Sequence, residues 1–252
     1  MKLGLCTGQE NLEMAMRLGF DYIECTVSST EAMNDRDFLD LKSKVKNSSI
    51  KIERFNVLFP RTICLIGPEA DHEKIRNYLE KSFQRVSELG GTTVVFGSGR
   101  SRTFPSGMAY RDAFLELIKV TRLIGEIAAK HGIIIAIEPL NSGESNCINS
   151  VREGAMLEAA VDLPSVGLLA DNYHMLMDNE PMNSLLEIKK LNHIHISLAN
   201  RYFPVVYDND VKSFIDVLKQ IGYSGTMSIE GKTDDLENDA AAALKVLRSA
   251  VS

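Results

Sequence analysis

Only four of the 252 residues are cysteine, at Cys6, Cys25, Cys64 and Cys147, and no two of them form a C-x-x-C pair. That spacing excludes a zinc knuckle and offers no disulfide framework. Buried free thiols are the expectation, because unpaired cysteine behaves as a small apolar side chain. No apolar run approaches the roughly 20 residues that cross a bilayer. Residues 1–7, MKLGLCT, are too short and too polar for a signal peptide, and no cleavage pattern follows them. The expected location is therefore the cytoplasm, with no membrane partner. Basic residues are also in short supply: 28 Lys and Arg against 34 Asp and Glu leave a formal charge of −6. That balance disfavours nucleic acid, whose binding rests on neutralising phosphates. The first strand is not followed by G-x-G-x-x-G, and GLCTGQEN is no substitute, which weakens a dinucleotide-binding reading.

What the chain does contain is a regular alternation. Short β-branched or apolar runs occur at Lys2–Cys6, Asp21–Val27, Ile50–Leu58, Thr92–Phe96, Ile133–Ile137, Ser165–Ala170, His193–Ser197 and Thr226–Ile229. Between them, apolar residues spaced at three and four predict helices over Asn11–Leu18, Asp35–Val45, His72–Leu89, Tyr110–His131, Val151–Val161, Asn183–Lys190, Val211–Ile221 and Leu236–Val251. Gly19, Gly90, Gly91, Gly132 and Gly222 stand where helices close. Eight strands alternating with helices imply a parallel sheet, and near-continuous apolar strands imply burial on both faces. The fold expected is a single-domain (β/α)8 TIM barrel over residues 1–252, for which about 250 residues is the usual length. No linker or domain boundary interrupts it. Phe59–Asp71, Gly97–Met108 and Leu198–Asp210, the longest irregular stretches, all follow strands, so they fall on the carboxyl-end face where such barrels place their chemistry.

The ends of the later strands carry the chemical signal. The fifth, IIIAIEPLN, ends in Glu138; the sixth, VGLLADNYH, ends in Asp171 with His174 three residues on; the seventh, HIHIS, carries His193 and His195; the eighth, TMSIEGK, ends in Glu230. Each has an ordinary alternative. Glu138 could pair with a lysine at the rim, Asp171 could cap the next turn, one histidine could be a satisfied core residue, and Glu230 could be a loop carboxylate. Neighbouring strands of a closed barrel would nevertheless bring three carboxylates together, and their repulsion and desolvation are severe unless a cation is shared. An oxygen-rich set with one nitrogen favours Mn²⁺, Mg²⁺ or Co²⁺ over a closed structural zinc site. Manganese is the first choice, with zinc in an open site a further option.

At these residues the chain resembles the xylose-isomerase-like barrels of the sugar phosphate isomerase/epimerase superfamily, and within it the D-tagatose and D-psicose 3-epimerases. The resemblance implies one divalent ion held by Glu138, Asp171, His195 and Glu230. It also implies substrate-holding roles for Glu144 in EPLNSGE, His174 in DNYH and Arg201 in HISLANR. A small sugar or sugar phosphate substrate and a homo-oligomer, dimer or tetramer, follow from the same likeness. The implied reaction removes a proton beside a ketose carbonyl through a cis-enediolate, with Glu138 and Glu230 as catalytic acid and base on opposite faces; two-sided transfer gives epimerisation, transfer between neighbouring carbons by one carboxylate gives isomerisation, and both outcomes share this intermediate.

Two departures stand out. There is no tryptophan, so an aromatic wall would have to come from Phe55, Phe59 or Phe203. The fourth strand leads into FGSGRSRTFPSG, where Arg100 and Arg102 form either an anion grip on the substrate or a pair of solvated side chains. Glu24, near the end of the second strand, could meet a substrate hydroxyl or serve a supporting role, and Asn141 and Asn149 could line the mouth.

A dehydratase of the same superfamily would use the same metal and the same acidic proton but expel a hydroxyl. A DNA-repair endonuclease of the three-zinc type needs further histidines after the third, fourth and seventh strands, where this chain reads NVLFP, FGSGR and VYDND. A non-catalytic sugar-binding barrel would not need metal activation.

Overall fold

A computed structural model describes residues 1–251. Eight parallel strands close into a barrel in sequence order, β1 (Lys2–Cys6), β2 (Tyr22–Thr26), β3 (Lys51–Asn56), β4 (Thr93–Phe96), β5 (Ile134–Ile137), β6 (Val166–Asp171), β7 (His193–Ile196) and β8 (Thr226–Ile229), with β8 pairing back onto β1. Each strand lies within a residue or two of its expected run. Around them are helices α1 (Leu12–Leu18), α2 (Val27–Ala32), α3 (Asp35–Asn47), α4 (His72–Glu88), α5 (Tyr110–Lys130), α6 (Val151–Val161), α7 (Asn172–Met177), α8 (Asn209–Gln220) and α9 (Leu236–Val251). No helix among the described residues is long and apolar enough to cross a membrane.

Local chemistry sets the helix starts. The side chains of Asn34, Asp71, Ser150 and Asp208 accept hydrogen bonds from Asp37, Lys74, Glu153 and Val211 N–H, satisfying first-turn donors. On α5 the residues at 113, 117, 120, 124 and 128 are buried, which is the three-and-four spacing turned into a packed face.

Two short helices, α2 and α7, were not expected. The first, VSSTEA, opens with four weak helix formers, although Thr30 Oγ1 donates to the Thr26 carbonyl. The second starts because Asp171 accepts from Tyr173 N–H. The helix expected at Asn183–Lys190 is a 3-10 helix over Met182–Glu187 instead. Pro181 sets its start, and the chain turns extended at Ile188 to reach β7 too soon for a regular α-helix.

The main apolar core lies between barrel and helices, while Val95, Ala136 and Leu169 form a small separate cluster. Gly4 leaves room for the Tyr22 ring: a Cβ there would lie 2.1 Å from it. Buried polar side chains on alternate positions of β2 and β7, namely Tyr22, Glu24, His193 and His195, join Ser228 of β8 in one hydrogen-bonded layer. That layer rises toward the carboxyl ends of the strands. The cysteines are free: Cys25 and Cys147 are buried, Cys6 and Cys64 half-buried.

Candidate metal centre and active site

Four consecutive strands end in one cluster. Glu138, just past β5, Asp171 at the end of β6, His195 in β7 and Glu230, just past β8, each offer a ligand atom, and all of these atoms lie within 4.8 Å of one another. His195 Nδ1 faces the carboxylates, 3.1 Å from Glu138 Oε1 and 3.0 Å from Glu230 Oε2. Three acidic groups held so close demand positive charge. Arg201 supplies some of it: its guanidinium lies 2.6 Å from Asp171 Oδ2 and 2.5 Å from Glu230 Oε2, and 4.4 Å from the centroid of the Tyr173 ring. Asp171 also caps α7, so the structural role considered for it coexists with its place in the cluster. The donor set of three carboxylates and one imidazole, converging on one point, fits a divalent cation.

Charge neighbours decide the ionisation here. Burial works to raise the Asp171 carboxyl, but Arg201, His174 and His195 outweigh it and hold it below the usual carboxylate range. Burial likewise opposes ionisation of Glu230, and His195 and Arg201 overcome it. For His195 burial disfavours the charged ring, yet the carboxylates of Glu230 and Glu24 push it well above an ordinary imidazole.

Beneath the cluster, Glu24 holds two histidines at once. Its Oε1 lies 2.9 Å from His195 Nε2 and its Oε2 lies 2.8 Å from His193 Nε2, and Ser228 Oγ donates to Oε2. His193 Nδ1 is fixed on Thr226. Burial raises the Glu24 carboxyl, but the two rings bring it well below the usual range. A carboxylate on Nε2 keeps a proton there and leaves Nδ1 as the atom that could ligate an ion. Cys6, Glu24 and His195 could also offer ligand atoms to one ion, but both Glu24 oxygens are already taken by the imidazoles, so this layer supports the cluster above it.

The cluster opens into a cavity of about 540 Å³ that also takes in Glu144, His174, Arg61, Arg100, Asn56 and Phe59. His174 Nδ1 accepts from the Asn141 N–H at 3.2 Å and meets the Asn141 amide nitrogen at 2.8 Å, which leaves Nε2 to carry the ring proton. Asn141 also donates to Glu144 Oε1, so one buried amide positions two candidate substrate groups. Asn149 bonds the Leu140 and Ser145 carbonyls, bracing this loop from behind. Of the aromatic residues considered as a wall, Phe59 lines the cavity, whereas Phe55 and Phe203 are buried in the apolar core.

Arg102 does not reach the cavity. It is fully buried and donates to the Phe96 carbonyl at 3.0 Å and the Glu138 carbonyl at 2.7 Å. The turn that begins at Ser98 (φ +40°) places Arg100 on the cavity and sends Arg102 inward to clamp the ends of β4 and β5. The expectation of a substrate contact through Arg102 is corrected accordingly.

Two residues escaped the sequence reading. Asn56, the last residue of β3, donates to Glu230 Oε1 at 3.1 Å, and its own Oδ1 is buried without a partner. A polar residue at a strand's carboxyl end was the available signal. Arg61 lies in the long loop after β3 that the sequence analysis marked, but nothing in its neighbours singled it out.

The profile of the xylose isomerase-like TIM barrels matches residues 12–250. The chain belongs to that family. Similar proteins include a probable ketose 3-epimerase of Synechocystis, 27% identical over 86% of this chain and 75% of the relative. The L-ribulose 3-epimerase of Methylomonas is 29% identical over 88% of this chain and 77% of its own length. Among solved structures, the D-psicose 3-epimerase of Clostridium cellulolyticum H10, determined with D-tagatose, superposes with a TM-score of 0.88 over the full length of both chains at 19% identity, a likeness of fold. The cluster at the ends of β5 to β8 therefore sits on a xylose isomerase-like barrel at the face where barrels carry their chemistry.

Proposed function

We propose that the protein is a divalent-metal-dependent epimerase of a ketose, exchanging a proton at the carbon beside the carbonyl. The relatives make it a sugar isomerase or epimerase. The observation that carries the finer reading is the convergence of Glu138, Asp171, His195 and Glu230, with Glu138 and Glu230 opening onto the cavity. A divalent cation there, manganese by the hardness of the donors, supplies the Lewis acidity without which a carboxylate cannot remove so weakly acidic a proton.

The protein's own groups do the rest. Glu138 and Glu230 belong to strands on different sides of the cluster and take a proton from one face and return one to the other. Asp171 and His195 hold position, the latter through Glu24. His174 Nε2–H, Glu144 and Arg201 orient substrate hydroxyls. Asn56 Oδ1, buried and unpartnered, accepts from another, since a buried acceptor without a donor is otherwise unfavourable by about 1–3 kcal/mol. A dehydratase would share these groups; no particular contact favours it.

The test is exchange in heavy water, with the metal-loaded protein and a panel of ketoses followed by NMR. Deuterium entering at the carbon beside the carbonyl, together with the epimer, is expected. Loss of water with a new conjugated absorbance, or no exchange from any ketose, contradicts the reading.

A further inference from the structure

Loops after β3 and β4 form the wall of the cavity that the epimerase chemistry leaves unexplained. Arg61 from the first loop and Arg100 from the second both line it. Neither has a hydrogen-bond or ion-pair partner among the described residues, whereas Arg201 in the same cavity is paired twice. Both side chains are exposed at the cavity, so their donors are open to a ligand.

The two loops are stitched into one unit. Ser98 Oγ accepts from Phe59 N–H at 3.1 Å, Ser101 Oγ donates to the Pro60 carbonyl at 3.2 Å, and the Ser101 carbonyl accepts from Leu65 N–H at 2.8 Å. Each bond lies within two residues of Arg61 or Arg100, or closes the loop that carries one of them. The buried Arg102 ties the same segment to the carbonyls of Phe96 and Glu138. Two like charges are thus set on a braced platform in the cavity of the ligand cluster, with no carboxylate among the described residues paired to either. Such an arrangement suits an anion, and guanidinium groups match the spread oxygens of phosphate or carboxylate with paired donors.

We propose that the substrate carries a terminal anionic group, a phosphate or a carboxylate, gripped by Arg61 and Arg100 on the β3–β4 side of the cavity. The proposal rests on the ketose epimerase reading and narrows its substrate class from neutral to anionic sugars. The carbonyl end faces Glu138 and Glu230 while the charged end is anchored on the platform, so the grip fixes which carbon is presented to the carboxylates.

The experiment is heavy-water exchange by the full metal-loaded chain on a matched set: a ketohexose, its 6-phosphate and the corresponding 6-carboxylate. The expected result is a kcat/KM for at least one anionic member that exceeds the neutral sugar's by on the order of 10–100-fold, the worth of one or two charge-assisted hydrogen bonds. In the double variant Arg61→Gln with Arg100→Gln that ratio falls toward one, and in the Arg→Lys pair part of it is retained. Which anionic member shows the preference tells phosphate from carboxylate. Exchange of the neutral sugar as well as or better than both anions, or a ratio unaffected in the Gln pair, overturns the grip while the epimerase reading stands. No exchange from any member removes both.

Discussion

Glu138 is held in place partly by what residue 97 lacks. A Cβ on Gly97 would lie 2.2 Å from Glu138 Oε2, closer than real contacts allow, so the glycine makes room for the carboxylate rather than for a turn. Gly97→Ala is expected to fold but to displace that oxygen. Turnover should drop by on the order of tenfold or more, since a misplacement of about 1 Å can lower rates by two orders of magnitude; steady-state kinetics beside a thermal melt would check it. Glu138→Gln and Glu230→Gln remove the proposed proton carriers themselves. Each should lower exchange by roughly 10²–10⁴-fold, and a variant with normal exchange contradicts the two-carboxylate scheme.

Glu24→Gln keeps the shape of its side chain and abandons the charge that orders His193 and His195. Metal affinity should weaken by about 10–100-fold, as for other partners of ligating histidines, measured by titration calorimetry. The proton on His195 adds a pH dependence. Against the effect of burial, Glu230 and Glu24 hold its ring well above the ordinary imidazole range, which favours a proton on Nδ1 as well as Nε2 in the metal-free protein. An incoming cation must displace the Nδ1 proton. Affinity should therefore rise with pH until the raised value is passed, with proton release near one per ion below it. A pH-independent affinity, or proton uptake, contradicts this assignment of ligand atoms.

At the scale of elements, much of the site was legible because strand ends are a simple code. Glu138, Asp171, His195 and Glu230 could be read as neighbours once eight strands were counted, since strand order in a closed barrel follows sequence order. What could not be read was the direction of side chains in the loops. Arg100 and Arg102 are two apart in a glycine-rich stretch, and only the turn at Ser98 separates the cavity-facing one from the buried one. The choice of Glu24 as a histidine partner likewise depends on β2 lying across the barrel from β7, a distance no local pattern encodes. The short helices α2 and α7 were missed because six residues carry too little periodicity to register. Arg102 yields an element-level prediction. Arg102→Leu removes the guanidinium donors from both carbonyls at the junction of β4 and β5, leaving Phe96 only the Glu138 N–H. Loss of two hydrogen bonds to a charged group should destabilise the fold by about 3 kcal/mol, visible as a lower denaturation midpoint with an unaltered m-value.

For the whole molecule, a hydrogen-bonded polar layer of Tyr22, Glu24, His193, His195 and Ser228 underlies the Glu138, Asp171 and Glu230 carboxylates, while the main apolar core lies between barrel and helices. The arrangement concentrates negative charge at one mouth of an already acidic chain, so a bound cation should stabilise the entire fold. A metal ion at a hundred times its dissociation constant contributes ~2.7 kcal/mol, which for a domain of this size raises the melting temperature by roughly 5–10 °C.

The most direct measurement is a manganese titration of the chelator-stripped protein, followed by anomalous scattering from crystals of the loaded form. The account predicts one ion per chain, within bonding distance of Glu138, Asp171, His195 Nδ1 and Glu230, with binding lost in Asp171→Ala. No saturable binding, or an ion bound elsewhere while these four side chains remain unligated, would contradict it.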